Sequence, residues 1–145
     1  RELLYHRPRG RRTSIAAALE YLDRVVRRHG VVFVISDFID VGYDRALQRA
    51  GRRHDLIAVT VEDPRERRLP DVGFIALHDA ETGEQIVVDC GHAPAREEFA
   101  ARQARAAETR SRTFRRLAVD EIRVAATGDY VEPLVRFFQG RMGRN

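Results

Sequence analysis

Residues 31–37 read Val31-Val32-Phe33-Val34-Ile35-Ser36-Asp37, five apolar residues closed by two small polar ones. Four of the five are β-branched and the other is aromatic, a composition that favours a strand. The run does not alternate with polar residues, which predicts a parallel strand buried on both faces. In open α/β sheets, ligands gather just beyond the carboxyl ends of such strands. Ser36 and Asp37 occupy that position.

Upstream, Thr13 or Ser14 is placed to cap a helix running to about His29, with Gly30 as its stop. Ile15, Ala18, Leu19, Leu22, Val25 and Val26 follow the spacing of one buried stripe. Residues 1–12 read as an entering loop in which Leu3, Leu4 and Tyr5 can dock on the core before Pro8 and Gly10. Downstream, a turn from Phe38 to Gly42 leads to a helix over Tyr43 to Arg53, with Ala46, Leu47 and Ala50 inward. Asp55 to Val61 makes a second buried strand, and strand–helix–strand is a right-handed parallel crossover. Glu62 to Pro70 is a charged loop. Val72 to His78 and Gln85 to Asp89 flank Asp79-Ala80-Glu81-Thr82-Gly83-Glu84, an antiparallel hairpin added to the edge of the sheet. The longest helix starts at Pro94 and reaches about Leu117, and Asp120 to Ala126 is the last strand. Asp129 and Glu132 stand at capping-box spacing before a helix that turns Val131, Leu134, Val135, Phe137 and Phe138 inward. The tail from Gly140 is polar and expected to fray. The pattern predicts one α/β domain over residues 1–145. It is a three-layer fold with a mainly parallel sheet, helices on both faces and the hairpin at the edge.

Composition limits the function. The chain has 145 residues, 43% hydrophobic and 33% charged, and net charge +4. All 26 basic residues are Arg, and 22 acidic residues are interspersed among them. That mixing disfavours, though it leaves as an alternative, a nucleic-acid or anionic-surface binder, which concentrates basic charge on one face. The Arg110 to Arg116 run reads as a solvated helix face. A single cysteine, Cys90, excludes an internal disulfide and any Cys-based zinc site, and suggests a reducing, cytoplasmic setting. No apolar run approaches the ~18 residues of a membrane span. Because the first residue is Arg rather than Met, the chain is expected to be a piece of a longer protein, with any membrane anchor upstream. The five histidines form no pair at metal-ligand spacing, and neither a Walker loop nor a Gly-x-Ser-x-Gly elbow occurs.

Two positions carry chemistry, each with two readings. Thr13 is either a helix N-cap or a hydroxyl ligand; Asp37 is either a turn carboxylate holding local amides or a ligand acid. Asp40, three residues after Asp37, opens a further alternative, a metal-dependent phosphoester hydrolase. That chemistry calls for Asp-x-Asp-x-Thr, whereas here Phe38 stands where it would crowd a phosphate, and Asp40 reads as the cap of the next turn.

Thr13 before its helix and Ser36-Asp37 after the strand which that helix feeds resemble the second half of a von Willebrand factor A-type domain. More closely, the chain resembles the C-terminal part of the bacterial domain-of-unknown-function family numbered fifty-eight, often encoded beside MoxR-type AAA+ ATPases. The likeness is carried by Arg12-Thr13-Ser14-Ile15-Ala16-Ala17-Ala18-Leu19, Val32-Phe33-Val34-Ile35-Ser36-Asp37-Phe38, His54-Asp55-Leu56-Ile57-Ala58-Val59 and Glu62-Asp63-Pro64-Arg65-Glu66. Leu69-Pro70-Asp71-Val72-Gly73, Asp79-Ala80-Glu81-Thr82-Gly83-Glu84 and Asp129-Tyr130-Val131-Glu132-Pro133-Leu134 complete it. The resemblance implies a non-catalytic protein-interaction module, a MoxR-type ATPase as partner, and a divalent ion such as Mg²⁺ in the full-length protein. Thr13 and Asp37 would then be two metal ligands. The Asp-x-Ser-x-Ser loop that supplies the rest of such a site does not occur, and Ser14 stands where Asp or Asn usually follows the Thr. With the front half missing, the resemblance further implies an unpaired edge beside residues 31–36, covered by a second copy of the chain, by Leu3–Tyr5 or by the hairpin.

Overall fold

The computed structural model describes residues 13–78, 83 and 85–143. The element order is α1 (Ile15–Val25), β1 (Val31–Ser36), α2 (Asp44–Arg53), β2 (Asp55–Glu62), α3 (Pro64–Arg67), β3 (Phe74–His78), β4 (Gln85–Asp89), α4 (Ala93–Arg116), β5 (Asp120–Ala125) and α5 (Val131–Met142). A mixed α/β architecture follows, with β2 at the centre of a three-stranded parallel sheet ordered β1-β2-β5. No described helix is long and apolar enough to cross a membrane.

The side-chain alternation of β2 explains the layers. Leu56 and Ala58 point to one face and pack with Ile15 and Leu19 of α1, Ala46, Leu47 and Ala50 of α2, and Phe114 of α4. Ile57 and Val59 point to the other face, where Ile122 and Val124 of β5 meet Leu134 and Phe137 of α5. Helices therefore cover both faces, and the uninterrupted apolar run Leu56–Val59 is the signature of a strand enclosed on two sides. Burying each of these larger side chains contributes roughly 1.5–3 kcal/mol.

Several expectations are corrected. β1 is not buried on both faces: Val32 and Val34 pack against the first core, while Val31, Phe33 and Ile35 face solvent. Among the described residues it is an edge strand, and the rings of Phe33 and of Phe138 on α5 meet at 6.2 Å. The hairpin does not extend the main sheet. β3 and β4 form their own two-stranded antiparallel sheet, Phe74 opposite Asp89 and His78 opposite Gln85. Its base is tied to α4 instead, through Arg96, which donates to the Cys90 carbonyl at 2.6 Å and pairs with Asp71 at 3.1 Å. Helix α1 ends at Val25 rather than His29, at the β-branched pair Val25-Val26, and both of these side chains are exposed.

At the other end, Gly140 does not begin a frayed tail. Helix α5 continues to Met142, and Arg141 bonds Asp55 at 2.8 Å and lies 3.4 Å from Asp120. These contacts clip the helix to the amino ends of β2 and β5. The bond to Asp55 raises the Arg141 pKa, burial opposing it. The inward set expected for α5 divides: Leu134 and Phe137 turn to the core, whereas Val131, Val135 and Phe138 form an exposed stripe. The Glu62 to Pro70 segment is not wholly loop, because Asp63 caps the one-turn α3 by accepting from the Arg65 amide at 2.9 Å. Leu3, Leu4, Tyr5 and Asp79–Thr82 lie outside the described residues.

Leu47 is fully buried, whereas Val87 of the hairpin is largely exposed. Leu47→Ala should cost about 2–5 kcal/mol in chemical denaturation. Val87→Ala should stay within about 0.5 kcal/mol.

Candidate functional site

The carboxyl end of β1 is built as a tight polar turn. The Ser36 hydroxyl accepts from the Phe38 amide at 3.1 Å, and Asp37 Oδ1 accepts from the Ile39 amide at 3.2 Å and the Ser36 hydroxyl at 3.3 Å. Between them Phe38 takes a left-handed backbone conformation, φ 57°. For a bulky residue that conformation costs roughly 1–2 kcal/mol. Its ring offsets the cost by packing edge-on against Phe114 and Tyr43, at centroid distances of 5.0 and 5.7 Å. The ring points into the core and leaves the space over the loop open, contrary to the crowding expected from sequence. Asp37 is held exposed on the solvent side of the same turn.

Asp40 does more than cap its own turn. Its Oδ1 accepts from the Val41 amide and its Oδ2 from the Ile15 amide, both at 2.8 Å. The second bond reaches across 25 residues to the first turn of α1, where a carboxylate meets the positive end of the helix dipole. With both oxygens occupied by amides, Asp40 is a structural acid. Ser14, not Thr13, is the N-cap of α1, accepting from the Ala17 amide at 3.2 Å. Thr13 lies one residue before the cap and is exposed. The Asp40 bond therefore brings together the two stretches that carry Thr13 and Asp37. Among the described residues, no group of three or more His, Cys, Asp or Glu side chains is placed to hold a metal ion.

Beside this loop lies a cluster that sequence reasoning missed. Glu121 of β5 is only 13% exposed at its side chain. It accepts from the Ser111 hydroxyl at 2.6 Å, the Thr60 hydroxyl at 3.1 Å and Arg123 at 3.3 Å. Arg110, 14% exposed, pairs with Glu62 at 2.7 Å and lies 3.6 Å from Glu121. Arg67 also binds Glu62, and Arg123 also binds Ser111. The Arg110 to Arg116 run is thus only in part a solvated face. Arg112 and Arg115 pair with exposed Glu108, and Arg116 with Asp44, but Arg110 and Ser111 turn inward. Burial alone would raise the Glu121 pKa; the bonds from Ser111, Arg123 and Thr60 outweigh it and hold the carboxyl below its ordinary value. The detectable sequence signal was Glu121 and Arg123 at period two on one face of a short strand; their helix partners were not readable.

Loop and cluster border a cavity of about 770 Å³ over the carboxyl edge of the sheet. Asp37 and Ile39 line one side, α3 and Leu69 a second, and Phe99, Gln103, Ala107 and Arg110 of α4 a third. The volume suits a peptide segment or a small molecule.

Two outcomes test this arrangement. Asp40→Ala removes an amide acceptor from α1 and should cost about 1–2 kcal/mol in thermal melts. Because the folded pKa of Glu121 is lowered, its contribution is complete above the unfolded carboxyl pKa near ~4.3 and is lost as pH falls through the folded value. Glu121→Gln should therefore cost about 3 kcal/mol at neutral pH, and the variant should lose less further stability on acidification than the parent chain.

A family model described as "Protein of unknown function DUF58" matches residues 1–109. "Uncharacterized protein MAV169" of Mycobacterium avium is 34% identical over 137 residues, covering 92% of this chain and 79% of that protein. "Uncharacterized protein Mb1516" of Mycobacterium bovis and "Uncharacterized protein Rv1480" of Mycobacterium tuberculosis are each 35% identical over 136 residues. The chain spans only 42% of the length of these two. No solved structure matches the chain. With three quarters of its length under the family model and a 34% identical relative covered to 79% of its own length, the chain belongs to the DUF58 family.

Proposed function

We propose that the chain is a von Willebrand A-like protein-interaction module whose contact end is the carboxyl edge of the parallel sheet, and that it carries no catalytic machinery of its own. The supporting observation is the bond from the Ile15 amide to Asp40, which fixes the start of α1 against the loop after β1. Asp37 is exposed there, with its Oδ1 facing the Ile39 amide. Thr13 and Asp37 would each offer one oxygen to a divalent ion, whereas Mg²⁺ takes about six, several of them water. The residues present fit a partial site. A resident Mg²⁺ would supply a positive charge able to bridge to a partner's carboxylate; further protein ligands would have to come from outside this chain.

By resemblance, the partner is a MoxR-type AAA+ ATPase. The phosphoester hydrolase alternative loses its second acid, because Asp40 is consumed by amides. The nucleic-acid alternative is disfavoured because Arg49, Arg53, Arg67, Arg110, Arg112 and Arg123 are engaged by neighbouring carboxylates.

Binding of a MoxR-type ATPase to the immobilised chain tests the reading. Measurable binding that is weakened by chelation and by Asp37→Ala is expected. Absence of binding, or binding indifferent to both changes, contradicts it.

A further inference from the structure

Among the described residues, β2 is the only ladder partner of β1, so the outer edge of β1 presents unpaired amides and carbonyls. Proteins blunt such edges with charges, proline, bulges or a covering element. Val31–Ser36 contains no charge and no proline, and its register against β2 runs without a bulge. Beside it, Phe33 and Ile35 are 44% and 68% exposed. They continue into Val131, Val135, Phe138 and Met142, an exposed stripe at i, i+4, i+7, i+11 on α5. The hairpin is not available as a cover, since β3 and β4 pair with each other and are anchored to α4 by Arg96.

We infer that this face is an interface between two copies of the chain, with β1 pairing antiparallel to β1 of the second copy across a two-fold axis. A closed dimer uses the same patch twice, and a strand brought beside itself by a two-fold axis runs antiparallel. The charges flanking β1 suit that direction. Arg27, Arg28 and His29 precede the strand, exposed, and Asp37 follows it. With Phe33 on the axis, Val31 falls opposite Ile35 and His29 opposite Asp37. The basic end of each copy then lies along the acidic end of the other. The two α5 helices stand on the same face of one continuous sheet, with their apolar stripes turned toward the junction. Taking roughly 150–200 Å² for each such side chain when fully exposed, the apolar patch offers on the order of 550 Å² per copy, about two thirds of the ~800 Å² each partner brings to a standard interface.

Sedimentation velocity of the intact chain over a range of concentrations tests the inference, with circular dichroism to verify folding of each variant. A reversible dimer is expected. Ile35→Lys, at a side chain exposed in the isolated chain, should weaken it by more than about tenfold by setting a charge against the apolar Val31 of the other copy. The double change Arg27→Glu with Arg28→Glu should also weaken it, and adding Asp37→Arg to the same chain should restore it. That rescue is expected only if the two ends meet between copies. A monomer at every concentration overturns the inference. A dimer indifferent both to Ile35→Lys and to the charge reversals overturns it as well. A monomer whose β1 amides resist hydrogen exchange does so too, and assigns the edge to the chain's own residues.

Discussion

Parallel pairing of β1 with β2, and of β2 with β5, sends three strand ends to the same edge of the sheet. That directional constraint sets the polar architecture of the molecule. Apolar runs must end before they leave the sheet, and the residues that follow them converge on one surface: Asp37 after β1, Glu62 at the end of β2, and Arg123 near the end of β5. At the amino edge of the sheet the first residues of β2 and β5, Asp55 and Asp120, meet a single cation. There Arg141 clips α5 to Asp55 and Asp120, a structural role.

Two different solutions to burying charge appear at the convergent edge. Glu121 is removed from water and is sustained by hydrogen bonds from Ser111, Thr60 and Arg123, which offset the desolvation penalty of an enclosed ion, with Arg110, itself bonded to Glu62, 3.6 Å away. Asp40 is a lone carboxylate satisfied by two backbone amides and a helix dipole. Both carboxylates are satisfied by hydrogen bonds. Asp37, by contrast, is held by its turn while remaining exposed, the state suited to meeting something outside the fold. Rigid surroundings around an open carboxylate are what a recognition site requires, since little ordering is left to be done on binding.

The fold class was legible from apolar runs and their punctuation. Leu56-Ile57-Ala58-Val59 announced an enclosed strand, and it is one. The chemically similar run Val31–Ile35 announced the same and, among the described residues, is an edge strand, because composition reports what a strand can bury and not whether a neighbour lies beside it. The sequence locates the hairpin but not its sheet, since turn chemistry fixes how β3 meets β4 and says nothing of what their outer edges touch. Of the candidate site, the place of Asp37 just beyond β1 is readable from the strand end. What sets its loop beside the start of α1 is not, because the Asp40–Ile15 bond joins residues 25 apart with no shared motif. Nor is the Glu121 cluster, whose partners Thr60 and Ser111 are ordinary polar residues until β2 and α4 bring them together.

The central claim is that the exposed acid beside the start of α1 is where this chain meets a ligand. Paramagnetic broadening of amide resonances by trace Mn²⁺ examines it most directly, because it reports where an ion dwells even when binding is weak. Broadening confined to Thr13–Ile15 and Ser36–Ile39, and lost in Asp37→Ala, is the predicted result. Broadening centred elsewhere, on the acids of α3 or the Glu108 face of α4, or unchanged by Asp37→Ala, would contradict it.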